Sequence, residues 1–358
     1  MDLYQEINVS AITISRFQRF QTLRSHTITA LPIVILMPHS ACNCRCVMCD
    51  IWKGNKNVKQ LTEADVQGLL TSLQKLGTKQ VLMSGGEAML NPKFFSLCHM
   101  LKKEKIRITL LSTGLTLKKN AEQILQWVDD VIVSLDGNEI MHDRIRNIPG
   151  AFLKLKEGVQ YLKTLNPGYP IMARTVIHQL NFKLWSSIID TAKEIGLDHI
   201  SFLPADVTSH AFNREVLWSS ERQKEIIIDK DDLPLLEEIV DYILNNYAED
   251  FDRHFIAESP IKLRNIVVYY QAIHGLADFP FKKCNAPWVS AVVEADGSVR
   301  PCFFHEVYGN IHQQSLNSII NSNQATSFRK NLNVDANETC KRCVCSLNLS
   351  PRTNPAII

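Results

Sequence analysis

Through the first half of the chain, short runs of consecutive apolar residues alternate with stretches in which apolar positions recur every three to four residues. Runs bounded by turn residues predict strands buried on both faces, and the 3.6-residue period predicts helices lying on them. Strands are expected at 33–37, 80–84, 107–111, 131–135, 171–177 and 200–203. Between them helices are expected at 62–76, 92–104, 121–128, 152–165 and 182–194. Strand–helix repeats of this kind build a parallel sheet. Six of them describe an α/β fold, an open partial (β/α)6 barrel.

From about 206 to 281 the alternation stops and a charged, mostly helical stretch intervenes, with helices at 233–245 and 261–273. It reads equally as a plain connector or as a cap over substrate. A hairpin follows, with strands at 288–295 and 298–303 joined through Asp296-Gly297, because Asp-Gly between β-prone runs favours a tight turn. The expected division is therefore an N-terminal extension (1–30), a barrel (31–205), a bridge or cap (206–280) and a small C-terminal domain (281–358).

Composition narrows the function. The chain has 358 residues, 45% of them hydrophobic, enough for one large domain with an appendage. Lys and Arg number 39 against 37 Asp and Glu, so there is no basic footprint for nucleic acid. No apolar run reaches membrane-span length and no signal peptide precedes the barrel, which predicts a cytoplasmic protein without a membrane partner. In a reducing compartment, clustered cysteines point to metal or catalysis rather than disulfides. All ten but Cys98, expected as an inert core thiol, fall into two groups.

Cys42, Cys46 and Cys49 stand at C-x3-C-x2-C spacing just after the first strand. An iron–sulfur cube has four irons, so three thiolates leave one iron open to another ligand. The alternatives are a zinc knot or a buried thiol cluster, but zinc sites normally show paired C-x2-C units and four closed ligands. Cys44 could be a fourth ligand, closing the cube; its offset fits better with a small apolar filler. The passage 41–52, ACNCRCVMCDIW, resembles the cluster loop of the radical S-adenosylmethionine (SAM) superfamily. The resemblance implies that the open iron chelates the amino and carboxylate groups of SAM, and that reductive cleavage gives methionine and a 5′-deoxyadenosyl radical.

Active sites of parallel α/β barrels lie at the C-terminal strand ends, and the loops there carry further motifs. Gly85-Gly86-Glu87, after the second strand, lets a ligand approach the backbone and offers a carboxylate to an ammonium group. It resembles the family's GGEP motif, with Ala88 in place of proline, and implies contact with the SAM amino group. Ser134 and Asp136 resemble the SLDG motif after the fourth strand. His142-Asp143-Arg144-Ile145-Arg146 resembles the HDxxR stretch that follows it, which implies that Arg146 pairs with the SAM carboxylate as a bidentate fork. The plain reading of Arg146 is a solvated arginine at a helix start. Ser112 and Thr113 are further candidate SAM contacts. Arg174, inside the fifth strand, either meets an anion or keeps its head in water.

The second group comprises Cys284, Cys302, Cys340, Cys343 and Cys345. Cys284 and Cys302 bracket the hairpin and Cys340-x2-Cys343 sits on a turn, so four thiols can converge on one metal, either a zinc ribbon or a fully ligated cube. The spacing resembles the twitch domain, a shortened relative of the SPASM domain, which implies a β-hairpin-plus-helix unit holding one auxiliary [4Fe–4S] cluster. Cys345 either competes with Cys343 as ligand or is idle. His305 is a ligand, a proton relay or an ordinary loop residue. The implied cofactors are two [4Fe–4S] clusters and SAM, with an external electron donor such as flavodoxin or ferredoxin.

These motifs describe how a radical is made and not where it is sent. The leading expectation is hydrogen abstraction from a substrate C–H, with the auxiliary cluster taking an electron during oxidation of a small molecule. Redox-neutral tailoring remains open. A second expectation is maturation of a ribosomal peptide; the short stretch before Cys42 leaves no room for a leader-binding domain, so that module would be a separate protein. A third, from another class, is a non-catalytic electron carrier with two closed clusters, which the motifs around Glu87 and Ser134 oppose.

Overall fold

A computed structural model describes residues 9–214 and 216–352, with side chains from residue 16 onward. The outermost parts of the two expected terminal segments, 1–8 and 353–358, lie outside the described residues. Six parallel strands form the frame: β1 (Ile33–Leu36), β2 (Gln80–Met83), β3 (Arg107–Ser112), β4 (Asp130–Ser134), β5 (Ile171–Ile177) and β6 (His199–Pro204). They pair in sequence order, parallel throughout, and the sheet stays open. Each strand lies close to its expected span at both ends. The periodic stretches are helices: α2 (Glu63–Lys75), α3 (Phe94–Lys103), α4 (Ala121–Trp127), α6 (Ala151–Leu165) and α7 (Trp185–Glu194). Before them runs α1 (Val9–Ser25), and between α4 and α6 lies α5 (Glu139–Arg146).

Helix α2 shows how local sequence sets an element. Thr62 Oγ1 accepts from the Asp65 N–H at 3.2 Å, and Asp65 Oδ2 accepts from the Thr62 N–H at 2.8 Å. This reciprocal cap satisfies two otherwise orphaned donors. Val66, Leu69, Leu70 and Leu73 then fall on one buried face, as the helical period requires. In β5 the alternation is equally plain, with Ile171, Ala173, Thr175 and Ile177 buried and Met172, Arg174 and Val176 half-buried on the opposite face.

Two features extend the sheet beyond expectation. Beyond β6, Ile200 donates to the Phe255 carbonyl at 2.7 Å and Ala257 donates back to Ile200 at 2.9 Å. That short parallel rung covers an edge whose backbone groups would otherwise be unpaired. At the other edge β1 pairs in parallel with β7 (Ser290–Val293), register Ile33↔Ser290 to Leu36↔Val293. Strand β8 (Ser298–Arg300) returns antiparallel through Asp296-Gly297, and β9 (Gly309–Asn310) adds a last rung. The expected hairpin is present but shorter: residues 286–289 form a helical turn, and Trp288 packs with Ile33, Ile35, Val292 and Leu349 in a second apolar core. A large buried apolar side chain contributes roughly 1.5–3 kcal/mol, so this core and the β1–β7 ladder weld the C-terminal unit to the barrel.

The stretch after β6 contains α8 (Ser220–Lys224), α9 (Leu233–Asn246), α10 (Ala248–Asp252) and α11 (Pro260–Ile273). Helices α9 and α11 pack on each other, and Tyr270 of α11 donates to the Ile177 carbonyl at the end of β5. No helix of the described residues is long and apolar enough to cross a membrane.

Candidate active site

The loop between β1 and α2 carries the first cysteine group, and its backbone is fixed at several points. Asn55 grips Cys42 from both sides, accepting from its N–H at 3.0 Å and donating to its carbonyl at 2.8 Å. Arg45 and Val47 donate to the carbonyls of Arg146 and Ile145, both at 3.0 Å. Cys42 Sγ accepts from the Cys44 N–H at 3.4 Å, and Cys49 Sγ from the Ile51 N–H at 3.5 Å. Cys44 is buried in the main core together with Cys46. Its thiol also hydrogen-bonds Cys46, and this bond is the main cause that brings the Cys46 thiol down to about 6, with the Arg146 charge also acting against burial. Burial pushes the Cys49 thiol up to about 12.

The glycines after β2 are required here by the chain itself. A Cβ on Gly86 would stand 2.2 Å from the Ala41 carbonyl oxygen, and one on Gly85, at φ +114°, 2.8 Å from the His39 carbonyl oxygen. Only a residue without a side chain tolerates either position. The cysteine loop approaches both glycines closely and is tied there by the Glu87 N–H to the Ala41 carbonyl at 3.0 Å. Glu87 is fully buried and already engaged: Oε2 accepts from Ser112 Oγ at 3.0 Å and from Thr113 N and Oγ1, both at 2.8 Å. Burial raises its pKa while these bonds oppose the rise. Glu87, Ser112 and Thr113 thus form one brace between the β2 and β3 loops. Thr113 continues it to the cysteine loop by a 3.0 Å bond to Asn43.

Arg146 ends α5 and is buried, unlike the solvated arginine of the plain reading. Its Nη2 pairs with Asp136 Oδ2 at 2.5 Å and its Nη1 lies 3.4 Å from Cys46 Sγ. The guanidinium is therefore held from two sides by the protein. Ser134, half-buried at the end of β4, stands beside Arg174 in the register of β5. Arg174 Nε donates to Ser201 Oγ at 3.1 Å.

A further set of residues lies over the cysteine loop and carries no motif. Arg214, fully buried, pairs with Asp206 at 2.6 Å and stacks on Trp218, its Cζ 4.1 Å from the ring centroid. Trp218 Nε1 donates to Asp50 Oδ2 at 2.7 Å. Arg222 lies over the same indole and donates to the Val47 carbonyl. The turn is made with Phe212 and Asn213 at φ 60° and 63°. Such left-handed values cost energy in residues other than glycine. Between this segment and Lys53 and Gly54 lies a cleft of about 440 Å³.

In the second group the thiols share one neighbourhood. Cys302 senses Cys284 and Cys340, Cys343 senses Cys302 and Cys345, and His305 Nε2 lies 3.4 Å from Cys340 Sγ. Burial pushes Cys302 up to about 12 and Cys340 to about 11. Cys343 Sγ donates to the Cys345 carbonyl at 2.8 Å, while Cys345 senses Arg174 and Asp206. Lys282, half-buried, lies over the Tyr269 ring and donates to the carbonyls of Lys341 and Cys343. All ten cysteines are free thiols, a soft donor set suited to iron–sulfur ligation. Among the described residues, no three His, Cys, Asp or Glu side chains converge as a site for one ion. A cube, in which each thiolate holds its own iron, does not require that convergence.

Residues 36–183 match the model of the radical SAM superfamily. The chain belongs to that superfamily. Residues 284–344 match SPASM, an iron–sulfur cluster-binding domain, so this radical SAM enzyme carries an auxiliary-cluster domain on β7 and β8. Its cofactors are SAM and iron–sulfur clusters, as the two domains imply. Among curated relatives, an AdoMet-dependent heme synthase of Methanosarcina barkeri is 26% identical over 52% of this chain and 57% of its own length. The sporulation killing factor maturation protein SkfB of Bacillus subtilis is 22% identical over 78% of this chain and 62% of its own. The chain thus spans about three-fifths of the length of these relatives. Among solved structures, Streptococcus suis SuiB superposes with TM-score 0.65 at 14% identity, over 97% of this chain and 80% of that one. The AdoMet-bound structure of anSMEcpe gives TM-score 0.63 at 18% identity, over 87% and 85%. At such identities these neighbours show the fold alone.

Proposed function

We propose that the chain abstracts a hydrogen atom from a substrate C–H and passes an electron to its auxiliary centre, in an oxidative tailoring step. The observation that carries this reading is the in-register pairing of β1, which leads into the first cysteine group, with β7, which follows Cys284 of the second. A built-in electron acceptor is of use where the substrate is oxidised.

Cys42, Cys46 and Cys49 would hold a [4Fe–4S] cluster with one open iron, and Cys284, Cys302, Cys340 and Cys343 would saturate a second. Together with bound SAM, the first cluster would supply a 5′-deoxyadenosyl radical at the barrel mouth. Gly85, Gly86 and the brace of Glu87, Ser112 and Thr113 shape the wall against the cysteine loop, where the methionine end of SAM would lie. Ser134 and Arg174 offer a hydroxyl and a cation to the rest of the cofactor or to the substrate. The segment around Arg214 and Trp218 shields the cysteine loop from water.

A peptide substrate is the second reading. It is favoured by likeness over most of the chain to SkfB, named as a maturation protein, and to SuiB, also solved with its precursor peptide SuiA. Anaerobically reconstituted and reduced protein should release 5′-deoxyadenosine from SAM. Adding the dialysable and the retained peptide fractions of a cell extract separately should show which one raises the yield. No 5′-deoxyadenosine under any condition would sink the proposal.

A further inference from the structure

Arg146, outside the cysteine loop, reaches a sulfur of that loop. Arg146 Nη1 lies 3.4 Å from Cys46 Sγ, while Nη2 pairs with Asp136 Oδ2 at 2.5 Å. The arrangement is rigid for three reasons. The Arg146 carbonyl accepts from Arg45 within the cysteine loop, so backbone and side chain of one residue hold the loop together. Asp136 is fully buried, in the turn after β4, and its N–H donates to His142 Nδ1 at 3.3 Å. Asn138 accepts from the Met141 N–H at 3.1 Å, a cap that fixes the helix whose last residue is Arg146.

We propose that Arg146 is a positioning residue that sets the electron affinity of the cluster held by Cys42, Cys46 and Cys49, with Asp136 as its counter-charge. The inference rests on reading that triplet as an iron–sulfur site. The physics is electrostatic. Each electron the cluster accepts adds negative charge, and hydrogen bonds to its sulfurs are among the factors that set reduction potential. A buried guanidinium acts through a low dielectric, so it stabilises the reduced state far more than a solvated one could. Asp136 aims the guanidinium and cancels part of its charge. The two residues therefore act on the cluster with opposite sign, and a merely structural pair would not.

The test is a potentiometric titration of the reconstituted holoprotein, followed by electron paramagnetic resonance. The cluster of interest is the one whose signal changes on adding SAM. Arg146→Met should make it harder to reduce by about tenfold in the reduction constant, about 59 mV for a one-electron couple. Asp136→Asn should make it easier to reduce by threefold or more, and Arg146→Lys should stay within threefold of wild type. Should Arg146→Met lose its iron, the Asp136→Asn and Arg146→Lys shifts decide alone. Shifts of the same sign for Asp136→Asn and Arg146→Met, or no shift at full iron content, overturn the proposal. So does a loss of SAM affinity in Arg146→Met with the potential unmoved, the result expected of a carboxylate clamp. Iron content unaffected by alanine at Cys42, Cys46 and Cys49 would instead show that the triplet is not the cluster site.

Discussion

Trp218 donates its indole N–H to Asp50 at 2.7 Å and so fastens the segment after β6 to the end of the cysteine loop. Its ring is at the same time the platform for Arg214 and Arg222. Trp218→Phe keeps an aromatic ring and removes the hydrogen bond. A bond to a charged, buried acceptor is worth about 1.5–3 kcal/mol, so thermal stability should fall by that order. Iron should also leave faster to an external chelator. Unchanged melting and unchanged iron release would show that the segment does not hold the loop.

Two glycine substitutions should act in opposite directions. Gly86→Ala places a methyl 2.2 Å from the Ala41 carbonyl, so the cysteine loop must move. A loss of about 2 kcal/mol or more is expected of such overpacking, together with poor cluster loading. Gly68→Ala lies in the middle of α2 with open space around it. It should gain about 0.5–1 kcal/mol from backbone entropy and helix propensity. Denaturant unfolding of both variants checks the pair. Full iron content in Gly86→Ala would mean that the loop has room the structure denies it.

Replacing Cys42, Cys46 and Cys49 by alanine should leave about four of about eight irons, the complement of one remaining [4Fe–4S] cluster, and abolish 5′-deoxyadenosine formation. Cys44→Ala should keep both, because the offset of this thiol from its neighbours differs from the spacing of the triplet and suits a small apolar filler. Loss of one cluster in Cys44→Ala would make it a ligand.

His142 and His178 are fully buried, and burial, with the Arg146 charge second, lowers each to about 3. Unfolded histidine binds its proton near pH ~6.5, so the unfolded state takes up protons that the native state refuses. Their contribution is present above about pH 6.5 and lost as pH falls below it. Between about pH 6.5 and 5 the iron-free protein should lose about 2 kcal/mol for each histidine. His178→Gln should about halve that dependence in denaturant titrations at several pH values. Equal slopes in wild type and variant would place the acid sensitivity elsewhere.

The strands are legible in the sequence because each is a compact apolar run with a polar loop after it, and the cysteine groups because spacing alone is informative. Helix α5 is harder to see, since its residues His142, Asp143, Arg144 and Arg146 look like a solvated face while His142 and Arg146 are buried. Glu87, Ser112 and Thr113 read as members of one site, but the sequence cannot show that the carboxylate is engaged by the two hydroxyls. Trp218 and Asp50 are 168 positions apart, and nothing local announces such a pair. The same holds for β1 and β7, each readable as a strand while its neighbour is not.

That β1–β7 ladder determines how the enzyme can change over evolutionary time. Neighbouring strands stand about 4.8 Å apart whatever chain connects them, so the place of β7 beside β1 does not depend on the length of the chain between them. The long excursion from β6 to β7 can then lengthen, shorten or reshape itself while the two strands that flank the cysteine groups stay paired in the same register.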